Sequence, residues 1–248
     1  MRKFCLLFLA LLVLFSAVEM SFAQRETPNR TDLIGASGDP DSFGQNVKFM
    51  GVVITGVVYL DQTCIFGPGE LLPEDRCIVL NAAPGATTFD VKDIGRITLP
   101  ANSSKDILAF NGSHNRNYQF FNQTGIAQPS AFFHYIPYIT IESDALKDPR
   151  AVDPQTNLPL NGKWEIGLSA STGVDRSLAI NERIRDGSSY SRTCVNCLSK
   201  TFFVESGIPA DVIDRMYHGP ITIRLNLRGS AKLVSDGVMF YAMRFFGD

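Results

Sequence analysis

Histidine and tryptophan are scarce in this chain, at three and one residues, and the short motifs of nucleophilic or nucleotide chemistry are missing. There is no G-x-S-x-G elbow, no G-x-x-x-x-G-K-[ST] loop and no G-x-G-x-x-G fingerprint. His114, His134 and His218 are not spaced as metal pairs at i, i+2 or i+4, so no metal and no cofactor is expected. An excess of one charge is also lacking, since 23 basic side chains stand against 25 acidic ones. With both signs interspersed, nothing favours a nucleic-acid partner or a polybasic membrane patch. No repeat recurs at a fixed period.

One long hydrophobic run is present, and it opens the chain. Arg2 and Lys3 precede an apolar stretch from Phe4 to Val18, and Ser21-Phe22-Ala23 stands before Gln24. A basic start, an apolar middle and a small-x-small end read as a secretory signal peptide over residues 1–23. The alternative is a membrane anchor, but the run is shorter than the roughly 20 residues a spanning helix needs, and Glu19 interrupts its end. Cys5 lies inside the removed segment, so no lipoprotein cysteine follows. Loss of Arg2, Lys3 and Glu19 takes the 23 basic and 25 acidic side chains to 21 and 24. About 225 residues would remain, enough for one all-β core, with no further stretch able to span a membrane. The reading is a secreted or cell-envelope protein.

Cys64, Cys77, Cys194 and Cys197 survive that cleavage. An even count in an exported chain reads as two disulfides. Spacing favours Cys64–Cys77 across a Pro/Gly-rich loop and Cys194–Cys197 as a local staple. The second pair also matches a redox C-x-x-C, which needs a helix after it to lower a thiol pKa. Residues 198–204 look extended, so redox and zinc roles are the weaker alternatives.

Residues 24–46 are polar and rich in Gly, Pro, Asp and Asn, and read as an exposed irregular arm. Residues 47–248 read as a single domain. Val47–Leu60 is apolar on both alternating faces, a doubly buried strand or one bent at Gly51 and Gly56. Short extended runs follow at 77–80, 94–99, 106–110 and 117–121, separated by turn clusters such as Asn111-Gly112-Ser113. Ala131–Ile141 is the most aromatic run, and Pro137 within it points to an edge strand or a bulge. An acidic, Pro-rich connector spans 144–162. Residues 176–185 suggest one more strand. A helix is expected after Pro209, with Val212, Ile213 and Met216 as its apolar stripe and Gly219-Pro220 as its stop. The cleanest strand follows, with Ile221, Ile223, Leu225 and Leu227 facing one way and Thr222, Arg224, Asn226 and Arg228 the other. Residues 231–235 and 238–246 complete the set, with Asp236-Gly237 as a turn. The pattern predicts an all-β fold, an antiparallel β-sandwich or jelly roll with one short helix. An outer-membrane barrel is the rival, disfavoured by short strands and paired cysteines.

Paired carboxylates are the enzyme option left, since a glycosidase needs two across a cleft. Asp90, Asp93, Asp106, Glu142, Asp144 and Glu165 are candidates, and no pair stands out. Asp39-Pro40-Asp41-Ser42-Phe43-Gly44 resembles the start of a calcium loop but lacks a third oxygen ligand and a later bidentate Glu, so an Asp-Pro turn is the better reading. N-x-[ST] sequons at Asn29, Asn102, Asn111 and Asn122 would mark a solvent-facing rim in a glycosylating host. If the protein binds a glycan, Phe132, Phe133, Tyr135, Tyr138 and Trp164 are the rings to stack on it, with core packing as the competing role. The leading expectation is a non-enzymatic exported binding, adhesion or surface-structural protein, whose partner is a glycan or another surface protein. The alternative is a secreted carbohydrate-active hydrolase. Self-association by strand exchange of the 24–46 arm is a further, weaker expectation.

Overall fold

The computed structural model describes residues 48–106, 108–168, 172–194 and 197–248. The segment read as a signal peptide, the 24–46 arm, Asn29 and the Asp39–Gly44 turn lie outside the described residues.

Eleven strands form two sheets among the described residues: β1 (Lys48–Ile54), β2 (Val58–Asp61), β3 (Arg76–Val79), β4 (Ala86–Leu99), β5 (Leu108–Phe121), β6 (Gln128–Glu142), β7 (Lys163–Gly167), β8 (Thr172–Leu178), β9 (Arg183–Cys194), β10 (Ile221–Lys232) and β11 (Val234–Gly247). The front sheet runs β3-β2-β11-β5-β9, and β1 pairs with the far half of β11 beside β2. The back sheet runs β4-β10-β6-β7, with β8 on the other half of β6. Every pairing is antiparallel except β2 with β3, which is parallel. This is the expected β-sandwich.

The alternation of side chains along each strand builds the core. Phe110, Tyr118 and Phe120 of β5 and Met239, Tyr241, Met243 and Phe245 of β11 face Phe133, Tyr135, Ile139 and Ile141 of β6 and Ile221, Ile223, Leu225 and Leu227 of β10, all in one buried cluster. Each large apolar side chain so buried contributes roughly 1.5–3 kcal/mol relative to exposure. The sheets meet at a corner where Gly56 N–H donates to Ile94 C=O at 2.6 Å. A Cβ at Gly56 would lie 2.0 Å from the Glu74 carbonyl oxygen, so only glycine fits there. This bend divides the doubly apolar 48–60 run into β1 and β2.

Several local expectations give way to pairing partners. Asn111-Gly112-Ser113 is not a turn but the interior of β5, paired to β11 on one side and β9 on the other. Asp236-Gly237 likewise lies inside β11, opposite Asp61-Leu60. The chain instead passes from β10 in the back sheet to β11 in the front sheet at Leu233, a left-handed residue at φ 59° held by its buried side chain. Pro137 is neither on an edge strand nor at a bulge of β6. β8 pairs with β6 as far as Tyr135 and β7 begins at Tyr138, so a residue without N–H falls where the neighbour changes. Residues 176–185 are two strand ends with a turn at Asn181, φ 58°.

Among the described residues two α-helices form, not one. The expected helix is α2 (Ala210–His218), and Lys200–Glu205, read as extended, is α1. Ser199 accepts from Phe202 N–H at 3.1 Å and caps α1, while Phe203 packs on Trp164 with ring centroids 5.4 Å apart. Burial of that ring against the sandwich overrides the β preference of Thr201-Phe202-Phe203-Val204. The 144–162 connector is ordered: a 3-10 turn (Asp144–Lys147) buries its own Leu146, and Ala151 and Leu160 are buried after it. Asp148 receives both Arg150 and Arg215, and Arg150 also pairs with Asp211 at 2.6 Å, which fixes α2 to the connector. Among the described residues no helix is long and apolar enough to cross a membrane.

Candidate functional site

Both expected disulfides are present. Cys64 and Cys77 close their loop with Cα atoms 5.8 Å apart, and Cys194 and Cys197 are joined at 5.7 Å. Asp75 holds the first loop against β2, accepting from Val57 N–H at 2.7 Å and Leu72 N–H at 3.0 Å. In the helix after the C-x-x-C pair, Lys200 N–H donates to Asp106 C=O at 2.9 Å and Phe202 N–H to the Ser199 hydroxyl at 3.1 Å.

The rings proposed for glycan stacking separate onto two faces. Phe133, Tyr135 and Trp164 point into the core and are 1%, 3% and 6% exposed. Trp164 is stacked on Phe202 at 6.0 Å, and Arg116 lies over the Tyr135 ring at 5.5 Å. Phe132 and Tyr138 lie on the outer face of the back sheet. Phe132 is half-buried, stacked on His134 at 5.4 Å. Tyr138 is buried beneath Arg228, whose guanidinium is 5.1 Å from its centroid. Among the described residues these five rings therefore form no continuous platform: inward positions of β6 are filled by core packing, and the outward Tyr138 is covered.

That outer face instead collects charge. Arg224 of β10 donates to Asp93 at 2.6 Å and pairs with Glu142 at 2.9 Å, and Lys163 adds to Glu142 at 2.7 Å. Lys92 pairs with Glu165 at 2.6 Å, and Tyr138 O–H donates to Asp90 at 2.5 Å. Beneath these, Asn226 is buried; its amide donates to Thr140 at 2.9 Å and its oxygen accepts Asp93 N–H at 2.8 Å. At one end of the face a polar pocket of about 390 Å³ is lined by Glu142, Asp144, Lys147, Lys163, Thr222 and Arg224, among others. Its charges are matched, because Lys147 also pairs with Asp144 at 2.6 Å.

Electrostatics follow from these pairings. Partial burial acts to raise the Glu142 carboxyl, but hydrogen bonds from Lys163 and Arg224 outweigh it and hold the group below the usual carboxylate range. Asp144 is lowered by its hydrogen bond to Lys147. Burial, and then the Asp90 hydrogen bond, push the Tyr138 hydroxyl well up. Asp106, the remaining candidate, sits apart near α1, 3.4 Å from Lys200. Each of the six carboxyls has a cationic or hydroxyl partner: Tyr138 for Asp90, Arg224 for Asp93 and Glu142, Lys200 for Asp106, Lys147 for Asp144 and Lys92 for Glu165.

The histidines are dispersed. His114 is inside the sandwich, stacked on Tyr241 at 5.3 Å; His134 pairs with Asp175 at 3.0 Å; His218 at the end of α2 contacts Asp214 C=O at 2.7 Å. Among the described residues no group of three potential ligands could hold a metal ion. Two sequons prove to be structural. Asn122 is fully buried, its amide donating to Ile126 C=O at 2.7 Å and Ala179 C=O at 2.9 Å while its oxygen accepts from Thr124. Asn111 is buried and donates to Thr193 at 2.6 Å. Of the described sequons, Asn102 alone is exposed. Their spacing in the sequence carried no sign of this, since turn-forming residues close a sandwich from inside as readily as they edge it.

No family model matches the chain, and no curated protein matches it. Among solved structures it is similar to one of infectious bursal disease virus, Gx strain, at 11% identity over 82% of this chain and 33% of that one, with a TM-score of 0.27. A structure of the Gt strain gives 9% identity over 82% and 40%, with a TM-score of 0.14. The chain thus spans well under half the length of either, and likeness at these scores establishes neither fold nor function.

Proposed function

We propose that this is an exported, non-enzymatic β-sandwich that serves as a binding or surface-structural domain. The observation that carries this reading is the outer face of the back sheet, where Arg224 bridges Asp93 and Glu142 and the neighbouring carboxyls are matched by Lys92, Lys163 and Tyr138. A hydrolytic pair needs one carboxyl kept protonated near neutral pH and a second poised as a nucleophile or base. Here Lys163 and Arg224 favour the ionised form of Glu142, and the matched ion pairs around it suit a rigid scaffold. The disulfides support export, because such bonds persist in oxidising compartments. The partner class remains a glycan or another surface protein, met through the sheet faces and loop ends.

The deciding experiment is a turnover screen on a polysaccharide and oligosaccharide panel, run beside a glycan and surface-protein binding array. Saturable binding without release of reducing sugar above a boiled control is the expected outcome. Reducing-sugar release that Glu142→Gln or Asp93→Asn abolishes would establish the hydrolase instead.

A further inference from the structure

We infer that the polar pocket at the end of the back sheet is a seat for one or two neutral sugar rings. The inference rests on the binding role proposed above and gives its glycan partner a place. At about 390 Å³, the pocket lies near the lower end of the roughly 300–1,000 Å³ usual for small-molecule sites. Strand register builds its floor. Thr98 of β4 stands opposite Thr222 of β10, Thr222 opposite Glu142 of β6, and Glu142 opposite Lys163 of β7. One cross-strand row on the outer face thus sets two hydroxyls, a carboxylate and an ammonium side by side, with the Thr98 and Thr222 oxygens 2.9 Å apart.

The wall of the pocket is held in place by backbone. The 3-10 turn at 144–147 and the Asn161-Gly162 turn are tied together, Ser143 N–H donating to Gly162 C=O at 3.1 Å and Gly162 N–H to Leu146 C=O at 2.9 Å. Gly162 is left-handed at φ +89°, and a Cβ there would meet the Lys147 stem at 3.1 Å, so the two turns close on each other tightly. A site formed in advance loses little on ordering when a ligand enters.

The charge pattern selects the class of ligand. Lys147, Lys163 and Arg224 are matched by Asp144, Glu142 and Asp93 in pairs of 2.6 to 2.9 Å. An ionic ligand would have to displace one of these pairs and strand the other partner. A neutral polyol displaces none, because each of its hydroxyls can donate to a carboxylate while accepting from an ammonium, guanidinium or threonine hydroxyl. Glu142 and Asp144 are both held below the ordinary carboxylate range, so at neutral pH they only accept. Pro220 adds an apolar edge on which the C–H side of a sugar ring packs.

Amide chemical shifts of the isotope-labelled protein test the inference, in titrations with glucose, galactose, N-acetylglucosamine, cellobiose and lactose. Glucosamine and galacturonic acid serve as charged counterparts. At least one neutral sugar should move the amides of residues 143–147, 161–163 and 222–224 with a millimolar dissociation constant, and the charged sugars should bind several-fold more weakly. Asp144→Asn, at an exposed side chain, leaves Lys147 without its carboxylate. It should weaken the neutral sugar several-fold and strengthen galacturonic acid, whereas Arg185→Gln on exposed β9 should change neither. Pocket amides that no sugar moves would overturn the inference, as would tighter binding of a charged sugar by the native protein. Shifts confined to another surface would overturn this seat and leave the binding role standing; that role fails only in the turnover screen above.

Discussion

Acidification should loosen this sandwich through one side chain, His114. It sits on the inward face of β5, 5% exposed and stacked on Tyr241, with Arg116 two residues along the same face. Burial pushes its imidazole down to about 4 from an ordinary 6.5. In the unfolded chain the ring takes up a proton near pH 6.5, while in the folded chain it stays neutral down to about pH 4. Between those values the unfolded state binds more protons, so stability rises with pH. The contribution is fully present above pH 6.5 and is lost as pH falls toward 4. Each pH unit is worth about 1.4 kcal/mol, so the whole window amounts to about 3 kcal/mol, a large share of the 5–15 kcal/mol typical of a domain. Asp148, Glu142, Asp144, Asp153 and Asp211 are all held below their ordinary values, so their own losses come mainly below that window. Urea unfolding at half-unit steps from pH 7.5 to 4.0, on the native protein and His114→Phe, isolates the effect. The variant keeps an aromatic ring against Tyr241 but cannot titrate, and its free energy should be nearly level from pH 6.5 to 4.5. Parallel pH profiles for the two proteins would refute the assignment.

Gly56→Ala should rank among the most damaging single substitutions, because its Cβ would meet backbone, not a yielding side chain, at Glu74; a melting temperature within about 2 °C of native would contradict the corner geometry. Replacing Cys64 and Cys77 together by serine should cost roughly 2–4 kcal/mol in chemical denaturation, with β2–β3 amides losing hydrogen-exchange protection first; an unchanged midpoint would show that Asp75 alone holds the loop. Asn122→Ala should destabilise by about 1–3 kcal/mol, since it strands the Ile126 and Ala179 carbonyls, as a urea midpoint will report. In protein secreted from a glycosylating host, peptide mapping should find Asn111 and Asn122 unmodified and Asn102 open to glycan; a glycan on Asn122 in folded protein would contradict its burial.

Local chemistry was enough to read some of this molecule from its residues. The strict alternation of 221–228 can bury only one face of a strand, and β10 follows it. Pro209 and the Val212, Ile213, Met216 stripe place α2, and Cys64, Cys77, Cys194 and Cys197 pair as their spacing suggests. Short turn signals were less dependable. Asn111-Gly112-Ser113 favours a turn in isolation, but β9 and β11 satisfy its backbone on both sides, and two ladders outweigh a local preference. Asp236-Gly237 yields to β2 and β5 in the same way. The candidate site was less legible still. Every carboxylate could be named from the sequence, but the convergence of Asp93 and Glu142 on Arg224 joins residues on three strands, 131 and 82 positions before the arginine. Nor could the sequence say that Phe133, Tyr135 and Trp164 face inward while Phe132 faces out. A period of two fixes which residues share a side, and only the second sheet, laid against one of those sides, decides which is buried.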